Sequence, residues 1–170
     1  IDGMNVARIF RVLDGNAEFY NINFLNGYST DPGGAINGKS TAIDCFFSDN
    51  KADRADGGAT YGVTAINSTF MNNVASYGNG GAMYGGDAVN CIFFKNYATT
   101  NGGAICNGNA VNCKFFENWA NYHGGAMYNG YALNCSFKRN TAQFHGGATY
   151  DVDAVLCSFD GNTLTDVYND

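Results

Sequence analysis

The sequence predicts an all-β fold, namely a parallel β-helix (a solenoid) with about six regular coils of about 22 residues each. Three observations predict it. One phrase recurs along most of the chain at a nearly constant spacing. Each copy alternates apolar and polar residues with the two-residue period of a strand. Each copy is also too short to enclose a core alone, so the copies must stack on one another.

The repeat is marked by the tripeptide Gly-Gly-Ala and by three further columns that stay in phase with it. Successive tripeptides are 24, 23, 22, 22 and 22 residues apart. They begin at Gly33, Gly57, Gly80, Gly102, Gly124 and Gly146. The second column is Cys45, Ser68, Cys91, Cys113, Cys135 and Cys157; the third is Phe47, Phe70, Phe93, Phe115, Phe137 and Phe159; the fourth is Asn50, Asn73, Asn96, Asn118, Asn140 and Asn162. Four columns in phase over six units indicate one structural unit per copy.

The segment between the tripeptides reads as short strands. Its alternation predicts that Val89, Cys91 and Phe93 share one inward face, and likewise their equivalents in the next two copies, beginning at Val111 and Leu133. No copy carries an apolar stripe with helical spacing. A β-propeller does not fit, because its blades need about 40 residues and four antiparallel strands.

Stacking at about 4.8 Å per coil turns each column into a ladder. We expect the Cys ladder to point inward and the Phe ladder to stack beside it. The Asn ladder should lie at a bend, where asparagine tolerates left-handed backbone and its amide can bond to the coils above and below. The Gly-Gly pair should form a second bend that needs positive φ or close backbone approach.

The chain is interpreted as a single β-helix domain, residues 1–170. Residues 1–32 form irregular leading coils with strands at Ile9–Leu13 and around Tyr20, Ile22 and Phe24. Residues 33–162 form the regular repeats, and 163–170 a C-terminal tail or cap. The chain starts at Ile1 without a secretion signal. We therefore expect a piece of a longer chain, with signal and anchor outside it.

Composition excludes some classes of function. The 170 residues carry a net charge of −6, which argues against nucleic acid, since its binders need Lys and Arg to displace phosphate counterions. No apolar run is long enough to span a bilayer in this segment.

The pattern GGA[I/M/T]-[Y/C] followed by xNCxFxxNxA resembles the repeats of chlamydial polymorphic outer-membrane proteins. It also resembles adhesin-like surface proteins of methanogenic archaea. The resemblance implies a right-handed β-helix at the cell surface, outside the cell. It transfers no binding residue, because the shared motifs are scaffold positions. The sequence departs from the pattern at Pro32, Ser68 and Leu156.

The six cysteines favour free thiols in the core. Stacked cysteines on adjacent coils would be about 4.8 Å apart, slightly beyond ordinary disulfide Cβ separations of roughly 3.5–4.5 Å. Cys106 stands outside the column, in a slot that other copies fill with Tyr. Pairings of Cys91 with Cys113, of Cys135 with Cys157, or of Cys106 with a column member stay open as alternatives. The spacing does not suggest a zinc site.

The sequence shows no catalytic constellation and implies no cofactor or metal. Lyases and glycosidases with this fold would need converging carboxylates, or Ca²⁺ with a basic residue. The best acidic groups are Asp49, Asp53 and Asp56 on one turn, and Asp151 with Asp153 on another. Solvated turn acids explain both groups, with a surface Ca²⁺ site as the alternative.

The candidate binding residues are aromatic. Tyr97 and Trp119 share one slot, and Tyr122 and Phe144 share another, so their rings should gather over adjacent turns. His123 and His145 should stack at the rim of this group, as exposed turn residues, as two ligands of a metal, or as a pH-sensitive pair. Rings on a rigid face suit sugars or a protein hot spot. The alternative is that the rings pack under the turn.

These observations predict a rigid, adhesin-like surface segment that displays a non-covalent binding surface for glycans or for a surface protein of another cell. The alternative is a carbohydrate-active β-helix enzyme, such as a polysaccharide lyase or glycoside hydrolase, or an inactive relative. A pure spacer is a third possibility. Exposed strand edges at the ends of the rod would also allow end-to-end self-association.

Overall fold

A computed structural model describes residues 1–163 and the backbone of Val167–Tyr168. Its strands pair in parallel across successive coils, and no helix occurs among the described residues. The predicted parallel β-helix is therefore confirmed. The predicted tail or cap at 163–170 falls largely outside the described residues.

Each coil passes through three sheets in turn, and the described strands divide among them as follows. Sheet 1 contains Phe10–Arg11, Ala17–Tyr20, Ile36–Ile43, Thr60–Ile66, Met83–Tyr84, Ala88–Val89, Ile105–Cys106, Ala110–Val111, Met127–Leu133, Thr149–Val155 and Val167–Tyr168. Sheet 2 contains Asn23–Leu25, Phe46–Ser48, Thr69–Met71, Ile92–Phe94, Lys114–Phe116, Ser136–Lys138 and Ser158–Asp160. Sheet 3 contains Tyr28–Ser29, Lys51–Asp53, Val74–Ser76, Tyr97–Ala98, Trp119–Ala120 and Thr141–Ala142.

The predicted columns are in register. Phe93 pairs with Phe70 on one side and Phe115 on the other. Seven phenylalanine rings, from Phe24 to Phe159, stack with centroids 4.6–5.1 Å apart and planes within 2–8° of parallel. Small alanines fill much of the remaining interior, so the core is narrow and continuous along the coil axis.

Bend 1 joins sheet 1 to sheet 2 and corrects one sequence prediction. Asn90 lies there with φ of 54°, which reverses the side-chain alternation between the two strands. Ala88 is therefore buried, whereas Val89 is only half-buried. Val111 and Leu133, which occupy the same position in the next two coils, are also half-buried. Cys91 and Phe93 do point inward, as predicted. In the leading coil, Asn21 acts in the same way: Phe19 is buried and Tyr20 is exposed.

Bend 2 joins sheet 2 to sheet 3 and contains the Asn ladder. The ladder residues from Asn50 to Asn140 are at most 1% exposed. The predicted amide ladder is confirmed: each side-chain amide donates to the next Asn Oδ1 at 2.9–3.0 Å and to a carbonyl of the previous coil at 3.0–3.1 Å. The predicted left-handed residue is wrong by one position, since Glu117 (φ 53°), and not Asn118, has that backbone.

Bend 3 is the Gly-Gly turn, and each glycine meets one of the two predicted requirements. Gly102 has φ of 64°. A Cβ on Gly103 would lie 2.1 Å from the carbonyl oxygen of Gly125 in the next coil, so no side chain fits there.

The leading coil is less regular than the repeats. The predicted strand at Ile9–Leu13 is reduced to Phe10–Arg11. Asn26 and Gly27 form the equivalent of bend 2 in this coil, because Asn26 has φ of 52° and the Gly27 N–H donates to Asn50 Oδ1 at 2.8 Å. The 24-residue repeat contains a bulge between Asn37 and Ser40.

All six cysteines are free thiols, and all but the half-buried Cys157 are buried. The Cys91 N–H donates to the Sγ of Cys113 at 3.4 Å, and the Cys113 N–H to the Sγ of Cys135 at 3.4 Å. Ser68 is also buried, and its Oγ accepts the Cys45 N–H at 3.0 Å. Burial raises the pKa of Cys106 to about 12, with Asp56 adding to the shift.

Candidate aromatic binding site

The aromatic patch comprises Tyr97, Trp119, Tyr122 and Phe144, next to His123 and His145. The structure places three of its rings at the surface: Trp119 is 52% exposed, Tyr122 49% and Phe144 53%, while Tyr97 is half-buried. Trp119 projects from sheet 3, whereas Tyr122 and Phe144 lie just before bend 3. Tyr97 and Trp119 thus lie on adjacent coils of sheet 3, and Tyr122 and Phe144 on adjacent coils before bend 3.

The rings pair between neighbouring coils. Tyr122 and Phe144 stack with centroids 5.4 Å apart and planes inclined by 25°. Tyr97 and Trp119 meet edge to face at 6.3 Å and 76°. Their backbones are held by coil-to-coil hydrogen bonds, such as that from the Phe144 N–H to the Tyr122 carbonyl at 3.1 Å. The patch is therefore preorganised by the ladder beneath it.

The two histidines stack as predicted. Their rings are 5.2 Å apart and 11° from parallel, and the His123 ring also lies 4.6 Å from that of Tyr150. Burial, with repulsion from His145 second, lowers the pKa of His123. The Nδ1 of His123 is buried and has no hydrogen-bond partner among the described residues. No third ligand joins this pair, since no group of three or more His, Cys, Asp or Glu residues in the described part of the chain could hold a metal ion.

A polar ladder continues the histidine column toward the N-terminus and supports the patch. The Asn79 amide donates to Asp56 Oδ1 at 3.0 Å, and the Asn101 amide to Asn79 Oδ1 at 3.1 Å. The His123 N–H then donates to Asn101 Oδ1 at 3.2 Å. Bend 3 is thus hydrogen-bonded from coil to coil on the N-terminal side of the aromatic rings.

The acidic residues that the sequence offered as candidates do not converge on one site. Asp49 accepts from the Ser48 hydroxyl, Asp53 pairs with Lys51 Nζ at 3.1 Å, and Asp56 accepts from Asn79. Asp151 and Asp153 are exposed on sheet 1. None of these carboxylates lies among the aromatic side chains of the patch.

Sequence reasoning missed one residue of this surface. Tyr77 is 77% exposed and lines a groove of about 600 Å³ together with Tyr122. The signal that could have found it is the 23-residue repeat that contains it, one residue longer than the repeats that follow.

No helix among the described residues is long and apolar enough to cross a membrane.

The family model of the Chlamydia polymorphic membrane protein repeat matches residues 90–108. No curated protein and no solved structure shows a significant match to the chain. The matched segment runs from bend 1 through sheets 2 and 3 into the sheet 1 strand of the next coil, so it covers most of one turn of the β-helix. The resemblance to these repeats is confirmed over those residues, and together with the parallel β-helix it fits an adhesin-like role at a cell surface.

Proposed function

We propose that this chain is a rigid segment of an extracellular, adhesin-like surface protein. It would bind a glycan or a surface protein of another cell through the aromatic patch, without a catalytic step. The observation that carries the proposal is the half-exposure of Trp119, Tyr122 and Phe144 on a backbone fixed by coil-to-coil hydrogen bonds. Large rings that need little ordering on binding supply contact energy at low entropic cost.

The enzyme alternative has less support. Glycosidases need two carboxylates roughly 5–9.5 Å apart at the sugar, and the patch contains none. The spacer alternative does not explain why the large rings of Trp119, Tyr122 and Phe144 are all about half-exposed, with Tyr122 stacked on Phe144, since exposed apolar surface is usually kept small unless a partner covers it.

The test compares the parent chain with a Trp119→Ala, Tyr122→Ala double variant on a glycan array and on immobilised surface glycoproteins. Circular dichroism checks that both remain folded. Binding by the parent and its loss in the double variant would support the proposal. Equal binding by both, or silence from both, would overturn it for this segment.

A further inference from the structure

A groove of about 600 Å³ crosses three consecutive coils next to the aromatic patch. It is lined by Ser76, Tyr77, Thr99, Thr100, Asn121 and Tyr122. Its two ends are aromatic, its floor carries hydroxyl and amide groups, and none of the six lining side chains has a formal charge.

The groove arises from a change in coil length. Val74 and Ala75 pair in register with Tyr97 and Ala98 of the next coil. After this pairing, the coil of Val74 has one more residue before its Gly-Gly turn than the coil of Tyr97 has. Tyr77 is that residue: its φ is 56°, and its side chain projects outward. Register returns at Gly78, whose carbonyl accepts the Thr100 N–H at 3.2 Å.

The floor lies between the two tyrosines. Tyr77 and Tyr122 lie two coils apart, about 10 Å along the axis. The coil between them places the small Thr100 there, so no third ring fills the space between the two tyrosines. The Thr100 hydroxyl donates to Asn79 Oδ1 at 2.7 Å, which fixes its position and leaves its oxygen able to accept. The Asn121 side-chain amide takes part in none of the hydrogen bonds of the described residues, so it is available to a ligand.

We propose that this groove binds an uncharged oligosaccharide whose chain runs along the axis of the β-helix. Tyrosine rings match the C–H faces of sugar rings, and hydroxyl and amide groups match sugar hydroxyls. A ligand that contacts both tyrosines must span about 10 Å, which requires more than one sugar unit. The absence of charge in the lining favours a neutral glycan over an anionic one or a charged peptide.

This inference rests on the proposed function and makes its ligand specific. The test uses Tyr77→Ala, which removes one wall, and Thr100→Tyr, which fills the floor with a ring. Tyr131→Ala is the matched control, because Tyr131 is 36% exposed on sheet 1, away from the groove. The parent, these three variants and the Trp119→Ala, Tyr122→Ala variant are compared on an array of neutral and acidic oligosaccharides, and hits are titrated in solution.

We expect the parent and Tyr131→Ala to bind neutral oligosaccharides equally. Tyr77→Ala should weaken binding at least tenfold, and Thr100→Tyr should abolish it while circular dichroism stays unchanged. Unaltered binding by Tyr77→Ala and Thr100→Tyr, alongside loss in the Trp119→Ala, Tyr122→Ala variant, would overturn the groove and leave the proposed function standing. Binding only to acidic glycans, to which Arg54 on the neighbouring coil could contribute, or only to proteins would also overturn it. Silence from the parent on the oligosaccharide array would overturn the groove proposal, and silence on the immobilised glycoproteins as well would overturn the proposed function.

Discussion

At bend 2, one buried asparagine in each coil satisfies several polar groups at once. Asn118 Oδ1 accepts the backbone N–H and the side-chain amide of Asn96, each at 3.0 Å. Its own amide donates to the Phe93 carbonyl at 3.0 Å and to Asn140 Oδ1 at 2.9 Å. The side chain thus replaces water for groups that the narrow core excludes from solvent.

Replacing Asn118 with Ala should be costly, because the buried N–H of Asn96 would lose its partner, while the Asn96 side-chain amide and the Phe93 carbonyl would each lose one hydrogen bond. We expect a loss of roughly 2–5 kcal/mol in the free energy of unfolding, given about 1–3 kcal/mol per unsatisfied buried group. Guanidinium unfolding followed by circular dichroism measures it. The control is Asn109→Ala in the same coil, whose exposed amide bonds to Asp87 Oδ1 at 2.9 Å and whose loss should cost under about 1 kcal/mol. Equal costs for the two variants would contradict this account of the ladder.

The buried thiols should be unreactive in the folded chain. Burial raises the pKa of Cys106 to about 12, so its reactive thiolate is scarce at pH 8. We expect a chromogenic disulfide reagent at pH 8 to modify at most the half-buried Cys157 quickly, and all six thiols after denaturation without reductant. Fast modification of several thiols in the folded state would contradict their burial. Fewer than six after denaturation would show a disulfide.

His123 should titrate below the ordinary histidine pKa of 6.5. Because its folded pKa is lowered, the unfolded chain takes up the proton first as the pH falls, and stability should decline below about pH 6.5. An NMR titration should show the low pKa, and His145→Asn should raise it by removing the nearby charge. His123→Asn, which restores the residue type found at Asn101 in the same slot, should remove that part of the acid sensitivity. A His123 pKa at or above 6.5 would contradict the packing seen around its ring.

At the scale of elements, sheet 2 depends on the Phe ladder. Phe115 is fully buried between the rings of Phe93 and Phe137, whereas Phe116 on the same strand is only half-buried. We expect Phe115→Ala to lower the free energy of unfolding by about 3–5 kcal/mol, the usual cost of the cavity it leaves, and Phe116→Ala by clearly less. The same denaturant experiment measures both. A larger loss for Phe116→Ala would mean that the inward face of the strand has been misassigned.

Strand register was predictable from the sequence, because in-phase columns can stack in only one way once each copy is one turn. The inward face of sheet 1 was not predicted correctly. The prediction assumed an extended backbone at Asn90, so that the alternation of inward and outward side chains continued past it. In the structure Asn90 has left-handed backbone, which turns the chain and places Ala88 inside instead of Val89. Asparagine's tolerance of that conformation was the available signal.

The left-handed residue of bend 2 had no sequence signal. Asp49, Asn72, Lys95, Glu117 and Arg139 occupy the position in successive coils, and they share no side-chain chemistry. The buried asparagine that follows each of them fixes the bend from inside through its hydrogen bonds, so the preceding residue adopts the conformation whatever its type. At bend 1 the non-asparagine residue Leu156, which is 80% exposed, also has left-handed backbone, with φ of 55°.

At the scale of the whole molecule, the repeat makes a rod, and departures from the repeat make its distinctive surface. The aromatic patch was predictable, because equal slots in adjacent coils place their rings together. The groove was not predicted: the step between coils of 23 and 22 residues is visible in the sequence, but it does not say which residue of the longer coil projects, and the structure shows that this is Tyr77. The regular columns thus determine stability, while the irregular positions supply chemistry that a ligand can recognise.

Trp119 is the only tryptophan in the chain, so its fluorescence reports on the aromatic patch alone. The most direct measurement of the proposed binding is acrylamide quenching of Trp119 with and without a saturating ligand from the glycan array or the glycoprotein panel. Because Trp119 is 52% exposed in the free protein, we expect acrylamide to quench its fluorescence efficiently without ligand. Quenching should fall clearly when ligand covers the patch. A Tyr122→Ala variant that no longer binds should show no such fall. Saturated binding that leaves the quenching of Trp119 unchanged would contradict the assignment of this surface as the binding site.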